Sequence, residues 1–110
     1  MRKDDRLYLI HIAECLDRIE SYTPGMDEKE FLTSTLVQDA VLRNLQTLAE
    51  STQRLSEGAK ESRPDIAWYK IAGFRNVLVH DYLGVDVERI WNILKKELPT
   101  LKMAVKEMLG

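Results

Sequence analysis

Eight consecutive residues, Arg75-Asn76-Val77-Leu78-Val79-His80-Asp81-Tyr82, bring together a permanent cation, an amide, an imidazole and a phenol inside an otherwise apolar stretch. Those groups suffice for acid–base chemistry on a phosphodiester without a metal. Breaking RNA in that way requires removal of the 2′-OH proton, a proton for the departing 5′-oxygen, and positive charge on the crowded phosphorane. His80 suits the proton transfers, because an unperturbed imidazole titrates at about pH 6.5. Arg75 stays protonated and offers a planar fork to phosphate oxygens, which stabilises charge as it develops. Asn76 can orient substrate or imidazole through hydrogen bonds.

Spacing restricts how these groups meet. Five residues of ideal helix leave Arg75 and His80 about 140° apart around the axis, whereas Asn76 and His80, four apart, share a face. For Arg75 and His80 to converge, the helix must loosen near His80 or two subunits must pool their motifs across one cleft. Pooling is favoured here, with some loosening. It also offsets a formal charge of −2 by doubling the cations at the site. Taken by itself, an Arg and a His near a helix end also fit a dipole interaction and a capping group.

The rest of the chain must position that segment, and its patterning is helical throughout. Leu9, Ile12, Leu16 and Ile19 recur in steps of three and four from Asp5 to about Tyr22, flanked by Tyr8, Cys15 and Tyr22. Thr23-Pro24-Gly25 closes that helix. Asp27 and Glu30 form a capping pattern for a short turn through Phe31-Leu32. A long helix is expected from about Ser34 to Glu57, carrying Val37, Val41, Leu45, Leu48 and Leu55, with Gly58 at its frayed end. Pro64 suits the first turn of the next helix, which would run through Trp68, Ile71, Phe74 and on to His80. Asp86 is an N-cap candidate for a final run of Val87, Ile90, Leu94, Leu98, Leu101, Val105 and Met108, kinked or split at Pro99. The prediction is an all-α bundle of four to five helices forming one domain over residues 1–110, without repeats or low-complexity tracts.

Composition sets the outer limits. The chain has 110 residues, 45% of them hydrophobic and 31% charged, a balance that can bury a core without disulfides or a structural metal. Cys15 is the lone cysteine, which excludes an internal disulfide and fits a reducing compartment. No apolar run approaches the roughly 20 residues that span a bilayer, and Met1-Arg2-Lys3-Asp4-Asp5 does not read as a leader. A cytoplasmic location without membrane contact is expected. The slightly acidic total argues against a general nucleic-acid coat but leaves room for a small local basic site.

The octapeptide resembles the R-x4-H-x-Y signature of the HepT-like toxins, a branch of the HEPN ribonucleases. The likeness extends to Asp39-Ala40-Val41-Leu42-Arg43-Asn44-Leu45 with Glu50, to Trp68 through Asn76, and to Asp86 through Trp91 followed by Leu98-Pro99. It implies an up-and-down HEPN bundle that dimerises with its motifs facing a shared groove. It also implies a metal-independent endoribonuclease acting as the toxin of a toxin–antitoxin pair, in which Arg75 and His80 are catalytic and Asn76 assists. The usual partner of such toxins is an MntA-like minimal nucleotidyltransferase, which uses ATP to transfer AMP to the tyrosine corresponding to Tyr82. The toxin itself needs no cofactor. A non-catalytic helical module that binds a nucleotidyltransferase or a nucleotide is the competing class.

Other polar residues carry less. His11 reads as a satisfied, partly buried histidine, since neither a cysteine nor a second histidine stands at ligand spacing and no metal site is expected. Asp39 and Arg43, four apart, fit an intrahelical ion pair; on the resemblance, Arg43 and Asn44 instead support the groove or the dimer contact. Cys15 reads as an inert core residue, and Trp68 and Trp91 as core or interface anchors. Lys95-Lys96-Glu97 and residues 102–107 read as solvated helix surface.

Overall fold

A computed structural model describes residues 2–79 and 86–110, and everything described is helix or connection. Helix α1 (Lys3–Tyr22) is followed by α2 (Glu28–Leu32), α3 (Thr35–Arg54), α4 (Glu57–Glu61), α5 (Trp68–Ala72), α6 (Phe74–Val79), α7 (Val87–Asn92), a π-helical turn (Ile93–Glu97) and α8 (Leu98–Leu109). These pieces line up as four rods: α1, α3, the α5–α6 pair, and the run from α7 to α8. Helix α1 packs on α3 and α8, and α3 in turn carries α5 and α6.

Apolar spacing explains the core. Leu9, Ile12, Leu16 and Ile19 of α1 are all buried, against Val41, Leu45 and Leu48 of α3 and Ile90, Leu101 and Val105 of the last rod in one cluster. Cys15 belongs to it, and burial pushes its thiol above the usual range, which suits a packing role rather than a reactive one. Phe31 and Trp91 meet with ring centroids 5.5 Å apart, so the short α2 is pinned onto α7. The start signals in the sequence hold: Asp27 accepts from the Glu30 amide at 2.8 Å while Glu30 reaches back to the Asp27 amide, and Asp86 accepts from the Arg89 amide. Gly25 takes φ +68° after α1, where a side chain would strain the turn.

Three expectations change. The long helix stops at Arg54, because the Ser56 amide does not continue the ladder but is given to the Asp5 carboxylate of α1 at 2.8 Å. Ser56 then caps α4, accepting from the Ala59 amide, so Gly58 lies inside a separate short helix rather than at the frayed end of a long one. The helix expected from Pro64 starts only at Trp68. Its indole N–H donates back to the carbonyls of Lys60 and Arg63 at 3.0 and 3.1 Å, folding the intervening residues into turns. His11 is exposed, since it lies on the side of α1 away from the Leu9–Ile12 stripe.

Pro99 acts as anticipated, in a specific form. It sits in the first turn of α8, where its missing N–H costs little, and the turn before it widens so that the Leu98 amide bonds to the Ile93 carbonyl five residues back. The charged residues of that rod do more than solvate it. Lys95 lies over the Trp91 ring at 4.6 Å, Lys70 of α5 pairs with Glu97, and Lys102 pairs with Glu20 of α1.

The Trp68 indole gives a direct test of how the α4–α5 connection is held. Trp68→Phe keeps most of the buried ring and deletes both hydrogen bonds, so a loss of about 1–2 kcal/mol in chemical denaturation is expected. An unchanged midpoint would mean that water replaces the indole at no cost.

Candidate active site

The site is built on α6, which follows α5 after a single irregular step. Gly73 makes that step: its amide donates to the Tyr69 carbonyl at 3.1 Å, and its own carbonyl accepts from the Asn76 amide at 2.9 Å. A Cβ at Gly73 would approach the Lys70 carbonyl to 3.2 Å, closer than is comfortable. The chain thus keeps a helical path with one tight turn in the middle. Phe74 anchors the start of α6 in the core, packed beneath α3 contacts, and leaves its two successors outside.

Those successors are Arg75 and Asn76, both exposed on α6. A guanidinium and an amide therefore stand side by side on a solvent-facing surface, where they can meet a phosphate without prior unfolding. His80 and Tyr82, the other two members of the predicted set, lie outside the described residues.

The α3 residues singled out from the sequence separate into two groups. Asp39 and Arg43 are exposed, and the ion pairs among the described residues do not include one between them. Asn44 is 7% exposed, and its amide donates to the Ala40 carbonyl of its own helix at 2.9 Å. It is thereby a buried polar residue of the helix that carries α5 and α6, and not a surface donor. Among the described residues, no cluster of three His, Cys, Asp or Glu side chains is placed to hold a metal ion.

Two features escaped the reading of the sequence. Asp5 is only 3% exposed and accepts from both the amide and the hydroxyl of Ser56, at 2.8 and 2.6 Å. Burial alone would raise its pKa, yet the two Ser56 hydrogen bonds and nearby Arg2 hold it below the ordinary carboxylate value. Nothing local marks that carboxylate, since its partner lies 51 residues away. Tyr69 is the second: an aromatic residue on α5 that is 83% exposed. The period of α5 could have revealed it, because Trp68 and Ile71 already occupy the inner face.

The described residues form a small all-helical protein with an exposed polar pair on α6. Residues 12–108 match the family model described as Ribonuclease HepT-like, and the chain belongs to that family. It is 37% identical over 109 residues to a Methanocaldococcus jannaschii protein named as a gamma-glutamylcyclotransferase and putative RNase, matching 99% of this chain and 49% of that one. It is 34% identical over 102 residues to a protein of Thermococcus cleftensis named probable ribonuclease HepT, covering 93% of each. A second M. jannaschii protein, named as a putative RNase, is 29% identical over 105 residues, with 96% of each covered. The chain thus spans about half of the first relative and nearly all of the other two. No solved structure matches it.

Proposed function

We propose that this protein is an endoribonuclease toxin that cleaves RNA without a metal. The observation that carries the reading is the exposed Arg75–Asn76 pair on α6, in a chain of the HepT-like ribonuclease family, with His80 next in the motif. In this mechanism His80 takes the proton of the 2′-OH as that oxygen attacks phosphorus. The proton that His80 has taken passes through water to the departing 5′-oxygen, and a 2′,3′-cyclic phosphate remains. Arg75 binds the non-bridging oxygens most strongly when the phosphorane carries its extra charge, which lowers the barrier rather than merely tightening binding. Asn76 holds the phosphate or the imidazole in line.

Two copies of the chain form the working unit, each supplying one Arg75 and one His80 to a common groove that Asp39, Arg43 and Asn44 border or support. Tyr82 is the control point. A partner nucleotidyltransferase of the MntA type transfers AMP from ATP to its hydroxyl, releasing pyrophosphate. The added nucleotide carries negative charge and bulk into the RNA path, where it competes for Arg75.

Chelation tests the chemistry directly. Cleavage of a labelled RNA is expected to persist in excess EDTA and to leave cyclic-phosphate ends; loss of activity on chelation, restored by a divalent ion, would replace this mechanism with a metal-assisted one. Intact mass, read with and without the co-expressed nucleotidyltransferase, should rise by whole AMP units at Tyr82 and not in Tyr82→Phe.

A further inference from the structure

Helix α1 carries a second patterned face besides its core stripe. Leu7 and Ile10 are 49% and 37% exposed, on a helix whose buried residues are Asp5, Leu9, Ile12, Cys15, Leu16 and Ile19. At about 100° per residue, every one of those buried positions lies about 100° or more around the axis from Ile10. Lys3, Arg6, Leu7, Ala13, Glu14 and Asp17 all fall within about 60° of it. Ala13 is partly buried and the other five are exposed. Their steps of three and four around Ile10 are the spacing of a seam between two helices.

The order of charge along this face selects the partner. Lys3 and Arg6 stand at its N-terminal end, Glu14 and Asp17 at its C-terminal end, and Leu7, Ile10 and Ala13 between them. Let a second copy of the face lie antiparallel, with the two Ile10 side chains on a two-fold axis. Residues equally far before and after Ile10 then meet: Lys3 faces Asp17 of the other copy, Arg6 faces Glu14, and Leu7 faces the small Ala13, each twice. A parallel pair would instead set cation against cation and carboxylate against carboxylate. The ion pairs among the described residues include none of Lys3, Arg6 or Glu14. Arg6 is steadied by its bond to the Leu109 carbonyl, and Asp17, 3.7 Å from Lys102, keeps 71% of its side chain exposed.

We infer that the outer face of α1 binds a second copy of this chain, antiparallel and centred on Ile10. The contact is separate from the groove proposed at α6, since α1 packs chiefly on α3 and α8 whereas α6 packs on α3, and it does not rest on the ribonuclease reading. Joined to a groove dimer, it builds assemblies of four or more copies. A face this narrow offers fewer residues than the about 20–30 a side of a stable interface, so the association depends on protein concentration.

The test is light scattering on the full-length protein across a concentration series. Ile10→Glu sets two carboxylates against each other on the axis, and it is expected to halve the mass reached at the highest concentration while helical circular dichroism stays unchanged. Arg6→Glu and Glu14→Arg should each lower the mass when made singly. Made together in one chain they should restore it, because the signs are then exchanged on both sides of a symmetric contact. Oxidation reads the register: Ile10→Cys should cross-link to its own copy, whereas Lys3→Cys should not, its two copies standing about 21 Å apart along the seam. Cys15 is buried and does not compete. A natural mass in Ile10→Glu overturns the contact and leaves the face bare or to a different partner, as does a lack of cross-linking by Ile10→Cys. Equal cross-linking by Lys3→Cys overturns the antiparallel register. A double charge variant that stays as small as the single ones overturns the charge pairing.

Discussion

Replacing Arg75 by alanine should lower RNA cleavage by at least about 100-fold to 1,000-fold, the typical loss when one preorganised donor to a transition-state charge is removed. The fold should not notice, because Arg75 is exposed and the adjacent Phe74 is what fixes α6 to the core. Helical circular dichroism and the unfolding midpoint are thus expected to match the natural protein. Arg75→Lys separates charge from geometry. It keeps the cation but loses the two-pronged fork, so it should recover only part of the rate. Labelled RNA and a gel suffice to measure all three proteins. Full activity in Arg75→Ala would remove Arg75 from the mechanism altogether.

The largest stability effect is expected at Asp5, where alanine should cost about 2–3 kcal/mol, since a buried charged acceptor disappears and two Ser56 donors lose their partner. The loss is limited by an adjoining cavity of about 610 Å³ along Asp5, Ser56, Gly58, Ala59 and Ser62, which lets water reach the orphaned groups. Asp5→Asn should fall between the two proteins, because the amide keeps one acceptor and turns its NH2 group toward a donor. The pH dependence has a definite sign. The folded pKa of Asp5 lies below its ordinary 3.8, so the carboxylate stabilises the fold fully above that value. Its contribution fades as the pH falls from 3.8 through the folded pKa. Denaturation midpoints recorded down this range should converge for the natural protein and Asp5→Asn; parallel curves would show that ionisation of Asp5 is irrelevant to stability.

Much of this architecture was legible in the residues themselves, and what was missed has a common cause. Stripes such as Leu9-Ile12-Leu16-Ile19 announce a helix because both periodicity and partner face are local properties. Capping at Asp27 and Asp86 was readable for the same reason, since donor and acceptor lie three residues apart. The end of α3 was not. Val41, Leu45, Leu48 and Leu55 continue the helical rhythm past Arg54, and the break depends on a carboxylate near the start of the chain. Likewise the Trp68 indole reaches back eight and five residues to gather the Pro64 region into turns, overriding proline's preference for a helix start. Within the site, the types of Arg75 and Asn76 pointed to chemistry, while their exposure followed from Phe74 and Ile71 taking the inner positions. Tyr69 is left outward because Trp68 and Ile71 take the inner face of α5.

Asp5 and its neighbour Arg6 are adjacent in the chain, yet the first is tied to Ser56 and the second donates to the carbonyl of Leu109 at 3.3 Å. A nascent polypeptide emerging from the ribosome must therefore wait for residue 109 before its opening helix has all its native company. Helix α3 can cover much of its apolar side earlier, and only the part facing α8 stays open until then, a stretch of exposed apolar surface of the kind that promotes aggregation. Closing of the core is thus tied to α8, after the α1–α3 pairing that the chain can already make.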